Sequence, residues 1–174
     1  MKKVLIPVDE TKGSLATLEV FRNMVRPPEE VILLHVAKPG GKSLMYDMLG
    51  EAEMSTFKES IKGTDYENMQ NKKSAKILAY YKNELSKDGL INVRCIVREG
   101  NPVDEILRTA AEEGAELVVL GCNGKTGLQK LLSGCVTKDV EKSSQVPVLV
   151  AKAEGCEKSC DKTYVLKEAK AHAG

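Results

Sequence analysis

The chain has 174 residues, enough for one compact domain with some additional segments and too few for two full domains. Its 26 basic and 25 acidic residues leave a net charge of +1, so no strong field of one sign attracts nucleic acid or an anionic membrane. No apolar run approaches the about 18 residues of a membrane span, and residues 4–8, after Met-Lys-Lys, are too short for a signal-peptide core. We therefore expect a soluble cytoplasmic protein with reduced cysteines and no nucleic-acid or membrane partner.

Two short apolar runs near the N-terminus predict strands that are buried on both faces, because they lack the alternation of a half-exposed strand. The first covers residues 3–8, with Pro7 at its end, and the second covers residues 31–36. Between them Ser14 is predicted to cap a helix that stops before Pro27. Its apolar stripe consists of Leu15, Leu18, Phe21 and Val25.

The middle of the chain contains an irregular segment and two predicted helices. Residues 38–66 show no sustained period, so we expect a mobile insertion with at most one short helical turn. A helix over residues 71–86, with the apolar positions Ala75, Leu78, Ala79 and Leu85, precedes a strand over residues 91–97. The next helix has the clearest signals, with Asn101 as its cap, Pro102 at its first position and Gly114 at its end. Its apolar stripe is Val103, Ile106, Leu107, Ala110 and Ala111.

Strands over residues 115–120 and 147–152 complete the pattern, separated by a Gly-rich segment and a helix that ends near Ser143. The alternation of strand and helix predicts an α/β fold: a five-stranded, parallel, doubly wound sheet with helices on both faces. We expect a single domain over residues 1–152 and a charged tail over residues 153–174. Such sheets bind ligands beyond the carboxyl ends of their strands.

The Gly-rich segment after the fourth strand is a candidate phosphate site. Gly121 and Gly124 leave the backbone free to bring its N–H groups close to an anion. A second half-site begins at Gly134 and Cys135, where a helix N-terminus offers free N–H groups and a positive dipole end. One helix that passes unbroken through position 134 is the alternative, because an apolar helical stripe also fits Leu128, Leu131, Leu132, Val136 and Val140. A P-loop is excluded, since its first glycine would have to stand at Val119.

These residues resemble the universal stress protein family. The mark of that family is Gly-x2-Gly-x9-Gly followed by Ser or Thr, and this chain has Gly121-x2-Gly124-x9-Gly134 followed by Cys135. The likeness continues in the same order along most of the chain, in Ile6-Pro-Val-Asp9, Leu33-Leu-His-Val36, Gly100-Asn-Pro102 and Val146-Pro-Val-Leu-Val150.

The resemblance implies a Rossmann-like domain that binds ATP, or AMP or ADP, as a ligand-responsive module of a stress response. In this analogy Asp9 serves the ribose or a nucleotide-bound Mg²⁺, Val36 meets the adenine through its main chain, and the glycines hold the phosphates. The side chains of Val8, Val36 and Leu120 are suited to sandwich the base. A homodimer paired through the last strand is also implied. The implied nucleotide site comprises Pro7, Val8, Asp9, Val36, Leu120, Gly121, Asn123, Gly124, Lys125, Gly134, Cys135, Val136 and Thr137.

Cys135 is a departure from the family pattern, because ATP-binding members carry a hydroxyl there and a thiol is a poor donor. The lost contact costs about 1 kcal/mol, or about fivefold in affinity, with Thr137 as a partial substitute. The alternative function is therefore a protein-binding adaptor whose nucleotide pocket is vestigial. No base, nucleophile or arginine accompanies the glycines, so we assign no catalytic residue and expect ATP hydrolysis to be slow at most. His35, on a buried strand, is expected to be a core residue.

Overall fold

A computed structural model describes residues 1–37, 53, 55–56, 59–60, 62–89, 92–122 and 136–152. Five strands alternate with four helices in this part of the chain, as the sequence predicts. In chain order the elements are β1 (Lys3–Pro7), α1 (Lys12–Met24), β2 (Glu30–Ala37), α2 (Asp65–Lys87), β3 (Val93–Glu99), α3 (Pro102–Glu113), β4 (Leu117–Cys122), α4 (Val136–Ser143) and β5 (Val148–Lys152).

The strands form one parallel sheet in the order β3-β2-β1-β4-β5, which confirms the predicted α/β architecture. The chain winds outward from β1 to β3, then crosses back to β4 and continues to β5. The direction of winding therefore reverses between β1 and β4. At such a point the loops that leave the two strands diverge and open a crevice at the carboxyl ends of the strands.

Apolar side chains on the two faces of the sheet form two separate cores. Helices α1 and α2 cover one face, where Phe21 and Leu85 are buried in one cluster with side chains of the sheet. Helices α3 and α4 cover the other, where Ile106 and Val140 are buried. The central strand serves both cores, since Ile6 faces the first and Leu5 the second, and both side chains are inaccessible to solvent. Burial of one such side chain stabilises the fold by about 1.5–3 kcal/mol.

The predicted start of the first helix is wrong. Thr11, not Ser14, is the N-cap, and its hydroxyl oxygen accepts a hydrogen bond from the N–H of Ser14 at 3.3 Å. Both residue types favour a cap, but the hydroxyl of Ser14 is used elsewhere, since it accepts from the N–H of Asp9. Leu15 is 46% exposed and therefore not part of the apolar stripe, whereas Leu18, Phe21 and Val25 are buried as predicted.

The second helix is longer than predicted, since it begins at Asp65 instead of residue 71. Thr64 is its N-cap, and the carboxylate of Glu67 accepts from the N–H of Gly63, the residue before the cap, at 2.5 Å. This helix start overlaps the predicted insertion. The buried positions are Ser74, Leu78, Tyr81 and Leu85, whereas Ala75 and Ala79 are exposed. The five described residues between 53 and 60 are helical; the rest of the insertion up to residue 61 and the predicted tail lie outside the described residues.

Helix α3 confirms its predicted ends. The side chain of Asn101 accepts from the N–H of Val103 at 2.9 Å, and Gly114 has the left-handed φ of +64°. The N–H of Ala115 donates back to the carbonyl of Ala110 at 2.9 Å, which completes a Schellman motif. Because Ala115 belongs to this cap, β4 begins at Leu117, two residues later than predicted. Strand β3 also begins two residues later than predicted, at Val93.

Candidate functional site

The described residues of the predicted site meet at the carboxyl edge of the sheet. Pro7 ends β1, and Val8 and Asp9 follow it directly. The neighbouring strands bring Val36 from β2 and both Leu120 and Gly121 from β4. Val136 and Thr137 open α4 beside them. The other predicted site residues lie outside the described residues; they are Asn123, Gly124, Lys125, Gly134 and Cys135. The alternative of one helix through position 134 also lies outside them.

Asp9 is held by three of its four polar atoms. Its N–H donates to the hydroxyl of Ser14 at 2.9 Å, and its carbonyl accepts from the hydroxyl of Tyr81 at 3.2 Å. Its Oδ1 accepts from the N–H of Thr11 at 2.9 Å and from the Thr11 hydroxyl. Within the part of the chain that the structure describes, Oδ2 has no partner. The carboxylate is thus fixed in orientation through Oδ1.

Thr11, Ser14 and Tyr81 are residues of this site that sequence reasoning missed. Thr11 and Ser14 carry a local signal, since an Asp followed by hydroxyl residues two and five positions later is suited to build a turn before a helix. Tyr81 carries none, because it reaches Asp9 from α2, far away along the sequence. Only the packing of α2 on the sheet brings the two residues together.

The main chain of Val36 faces the crevice. The last hydrogen bond between β1 and β2 runs from the N–H of Val8 to the carbonyl of Leu34, at 2.8 Å. Polar backbone groups alternate along a strand, so Val36, two residues further, presents its N–H and its carbonyl on the same side as Leu34. These groups project past the end of β1, in the position expected for backbone recognition of a base.

The predicted apolar sandwich around the base is only partly present. Val36 and Leu120 belong to the core on the α3–α4 face, whereas Val8 is buried in the core on the α1–α2 face. The carbonyl of Val8 is also occupied, since the Nδ1–H of His35 donates to it at 2.8 Å. His35 is itself buried, as expected for a core histidine.

Gly121 has a packing role. A Cβ atom at this position would lie 2.2 Å from the carbonyl oxygen of Gly13 and 2.7 Å from the N atom of Ser14. The first turn of α1 therefore rests directly on the backbone of β4, and any side chain on residue 121 would separate them. This contact places the N-terminus of α1 beside the crevice. A role of Gly121 in holding phosphate stays a prediction.

Thr137 joins α4 to the end of β4. Its buried hydroxyl donates to the carbonyl of Gly121 at 3.2 Å. A hydroxyl has one proton to donate, so in this arrangement Thr137 cannot also donate to a phosphate. The geometry therefore does not support the expected substitution of Thr137 for the hydroxyl missing at Cys135.

An ion pair borders the site on the side of α2. The ammonium group of Lys73 lies 2.6 Å from Oε1 of Glu10, and this hydrogen bond is the main reason why the pKa of Glu10 is lowered. Glu10 directly follows Asp9, so α2 contacts two successive residues of the β1–α1 loop. In the described ranges no group of three or more His, Cys, Asp and Glu side chains is arranged to hold a metal ion.

The model of the universal stress protein family matches residues 1–152, the same region that contains the sheet and this crevice. The chain belongs to the universal stress protein family. Among curated relatives, the universal stress protein MJ0577 of Methanocaldococcus jannaschii is 34% identical over 87% of this chain and 94% of its own length. YxiE of Bacillus subtilis, also a universal stress protein, is 28% identical over 86% of this chain and 98% of its own.

Solved structures of the family share the fold. The structure of MJ0577 is 30% identical with a TM-score of 0.57, and the alignment covers 87% of this chain and 95% of that one. A universal stress protein family protein from Arabidopsis thaliana with AMP bound has a TM-score of 0.59 at 17% identity, over 92% and 97% of the two chains. A universal stress protein in complex with cAMP has a TM-score of 0.57 at 18% identity, over 86% and 95%.

Among the residues that the structure describes, no helix is long and apolar enough to cross a membrane.

Proposed function

We propose that this protein binds an adenine nucleotide, ATP or else AMP or ADP, in the crevice at the carboxyl ends of β1, β2 and β4. The observation that carries the proposal is the Asp9 carboxylate, which is fixed through Oδ1 and leaves Oδ2 for a ligand. The AMP and cAMP complexes of proteins with the same fold support the choice of an adenine nucleotide.

The described residues suggest how the ligand is held. A ribose hydroxyl donates to Asp9 Oδ2, and the adenine edge pairs with the N–H and carbonyl of Val36. Leu120 and the side chain of Val36 offer an apolar wall on the α3–α4 face. The phosphates meet the backbone N–H groups at the start of α4, Val136 and Thr137, together with those of the glycine motif.

A Mg²⁺ ion fits this site only together with a nucleotide. Asp9 offers the kind of oxygen ligand that Mg²⁺ prefers, but it is a single carboxylate, so phosphate oxygens and water would complete the coordination. The ion would neutralise phosphate charge. We propose no catalytic residue, and the binding module works as a regulatory switch rather than as a fast enzyme.

We further propose that residues 1–152 form one cytoplasmic domain that dimerises through β5. This strand is at the edge of the sheet, and its residues Val148, Leu149 and Val150 are only half-buried in the single chain. An edge strand with unpaired backbone groups and apolar side chains is a ready surface for pairing with a second copy. Sedimentation equilibrium tests this, since a monomer at all concentrations would contradict it.

Titration of nucleotide-stripped protein with a fluorescent ATP analogue tests the binding proposal. We expect saturable binding that is displaced by unlabelled ATP and lost in Gly124→Val, whose side chain would obstruct the approach of the anion. Asp104→Asn, an exposed change on α3 outside the crevice, is the control and should bind as the unchanged protein does. No saturable signal below about 1 mM would contradict the proposal and favour the adaptor with a vestigial pocket.

A further inference from the structure

Helix α2 contacts the β1–α1 loop at two points. The hydroxyl of Tyr81 donates to the carbonyl of Asp9 at 3.2 Å, and Lys73, about two turns earlier on the helix, pairs with Glu10 at 2.6 Å. Among the described side chains, the other one that binds the main chain of Asp9 is Ser14 of α1, whose hydroxyl oxygen accepts from the Asp9 N–H at 2.9 Å. The position of Asp9 therefore depends on α2 as well as on its own helix.

Tyr81 is built to be a fixed donor. Its side chain is 2% exposed and packs in the core with Leu78 and Leu85, so the ring has no freedom to move its hydroxyl away. The ring of Tyr80 meets it edge-on, with the ring centres 5.3 Å apart. Burial raises the pKa of Tyr81 to about 12, which keeps the hydroxyl protonated at every physiological pH.

The bonds around Asp9 act on different parts of the residue. Ser14 holds the N–H, Tyr81 holds the carbonyl, and Thr11 holds one oxygen of the side chain. With the backbone fixed on both sides of Cα, the bond to Thr11 fixes the orientation of the carboxylate, in which Oδ2 has no partner among the described residues. A ligand group held in this way loses little entropy when the ligand arrives.

We propose that Tyr81 is a positioning residue of the nucleotide site, which sets the orientation of the Asp9 carboxylate without touching the ligand. This inference rests on the proposed function. Helix α2 lies outside the crevice, and it would influence the affinity for the nucleotide through the bond from Tyr81 to Asp9.

A double-mutant cycle with Tyr81→Phe and Asp9→Ala tests the inference, with affinity measured by titration of the fluorescent ATP analogue. Phe keeps the buried ring and removes one hydrogen bond, so we expect an affinity about fivefold lower than that of the unchanged protein. In the Asp9→Ala background no carboxylate remains to be positioned, and the same change should alter affinity by less than about twofold.

Tyr80→Phe is the matched control, because it removes a hydroxyl from the next residue, whose side chain is 49% exposed, and should leave affinity unchanged. Equal affinity of Tyr81→Phe and the unchanged protein would overturn the inference while leaving the proposed function intact. So would an equal loss in both backgrounds, or a Tyr81→Phe protein that does not fold, since the hydroxyl would then serve the fold alone. Absence of binding by the unchanged protein would overturn the proposed function itself.

Discussion

Gly121 is a single residue whose lack of a side chain is required for packing, although it belongs to a glycine motif. The sequence places it first in a glycine pattern that suggests phosphate binding. In the structure its missing side chain allows the backbone of β4 to touch Gly13 and Ser14 of α1. The sequence does not predict this contact, because α1 and β4 are distant along the chain. No local pattern in either element indicates how closely the helix packs on the sheet.

Gly121→Ala is therefore expected to destabilise the fold even without ligand. The atoms that a Cβ would meet are backbone atoms, which cannot rotate away, so we expect a loss of about 2–3 kcal/mol in the free energy of unfolding. Urea denaturation measures it. Gly114→Ala is the control: it introduces a left-handed alanine into open space and should cost about 1–2 kcal/mol. A smaller loss for Gly121→Ala than for this control would contradict the packing role.

Among the elements, helices α3 and α1 differ in how well the sequence predicts where they begin and end. The ends of α3 were predictable because Asn101, Pro102 and Gly114 each act locally, within a few residues of the bonds that they make. The start of α1 was not, because Ser is the better cap by type, and yet the Ser14 hydroxyl binds the N–H of Asp9 while Thr11 accepts from the N–H of Ser14.

Thr11→Ala tests this assignment of the cap. The change removes the acceptor for the N–H of Ser14 and one donor to Asp9, so we expect a loss of about 1–2 kcal/mol in the free energy of unfolding. Thr11→Ser keeps the hydroxyl and should cost less than about 0.5 kcal/mol. Thermal or urea denaturation of both variants gives the comparison. Equal stability of the Ala and Ser variants would show that the cap lies elsewhere.

In the molecule as a whole, a network of ion pairs lies along the amino-terminal edge of the sheet, opposite the crevice. Arg94 on β3 binds Glu113 at the end of α3 and Glu30 on β2, and Lys3 on β1 lies 3.7 Å from Glu30. The network links four elements that are far apart in sequence. It leaves the carboxyl edge free to carry the ligand site.

This network makes stability depend on pH. The hydrogen bond from Arg94 is the main reason why the pKa of Glu113 lies below the ordinary value of 4.5. A depressed pKa stabilises the folded state above the unfolded value, and this contribution is lost as pH falls below 4.5 and through the folded pKa. We expect the free energy of unfolding to decrease over this range.

Urea denaturation from about pH 7 to about pH 3 measures this dependence. Arg94→Met should lower stability at neutral pH and flatten the decrease, because Glu113 then titrates nearer its ordinary value. Arg26→Met removes an exposed arginine that has no ion pair within the described ranges, and should leave the slope unchanged. Identical slopes for the unchanged protein and Arg94→Met would contradict a role of the pair in acid stability.

The fold could be predicted from the sequence, because each apolar run or helical stripe indicates which side of its own strand or helix is buried. The run 31–36, for example, is shielded on both faces in the sheet as its lack of alternation predicts. The site followed only in part. Asp9 and Val36 could be placed at strand ends, but the contacts of Tyr81 and Gly121 arise from the packing of helices on the sheet, which no local pattern encodes.

Backbone amide NMR of the stripped protein during titration with AMP locates the nucleotide site residue by residue. We predict saturable shifts at the amides of Asp9, Val36, Gly121 and Thr137, with little change at Glu116 on the opposite edge of the sheet. No saturable shift up to about 1 mM AMP, or shifts confined to residues away from the carboxyl ends of β1, β2 and β4, would contradict the account.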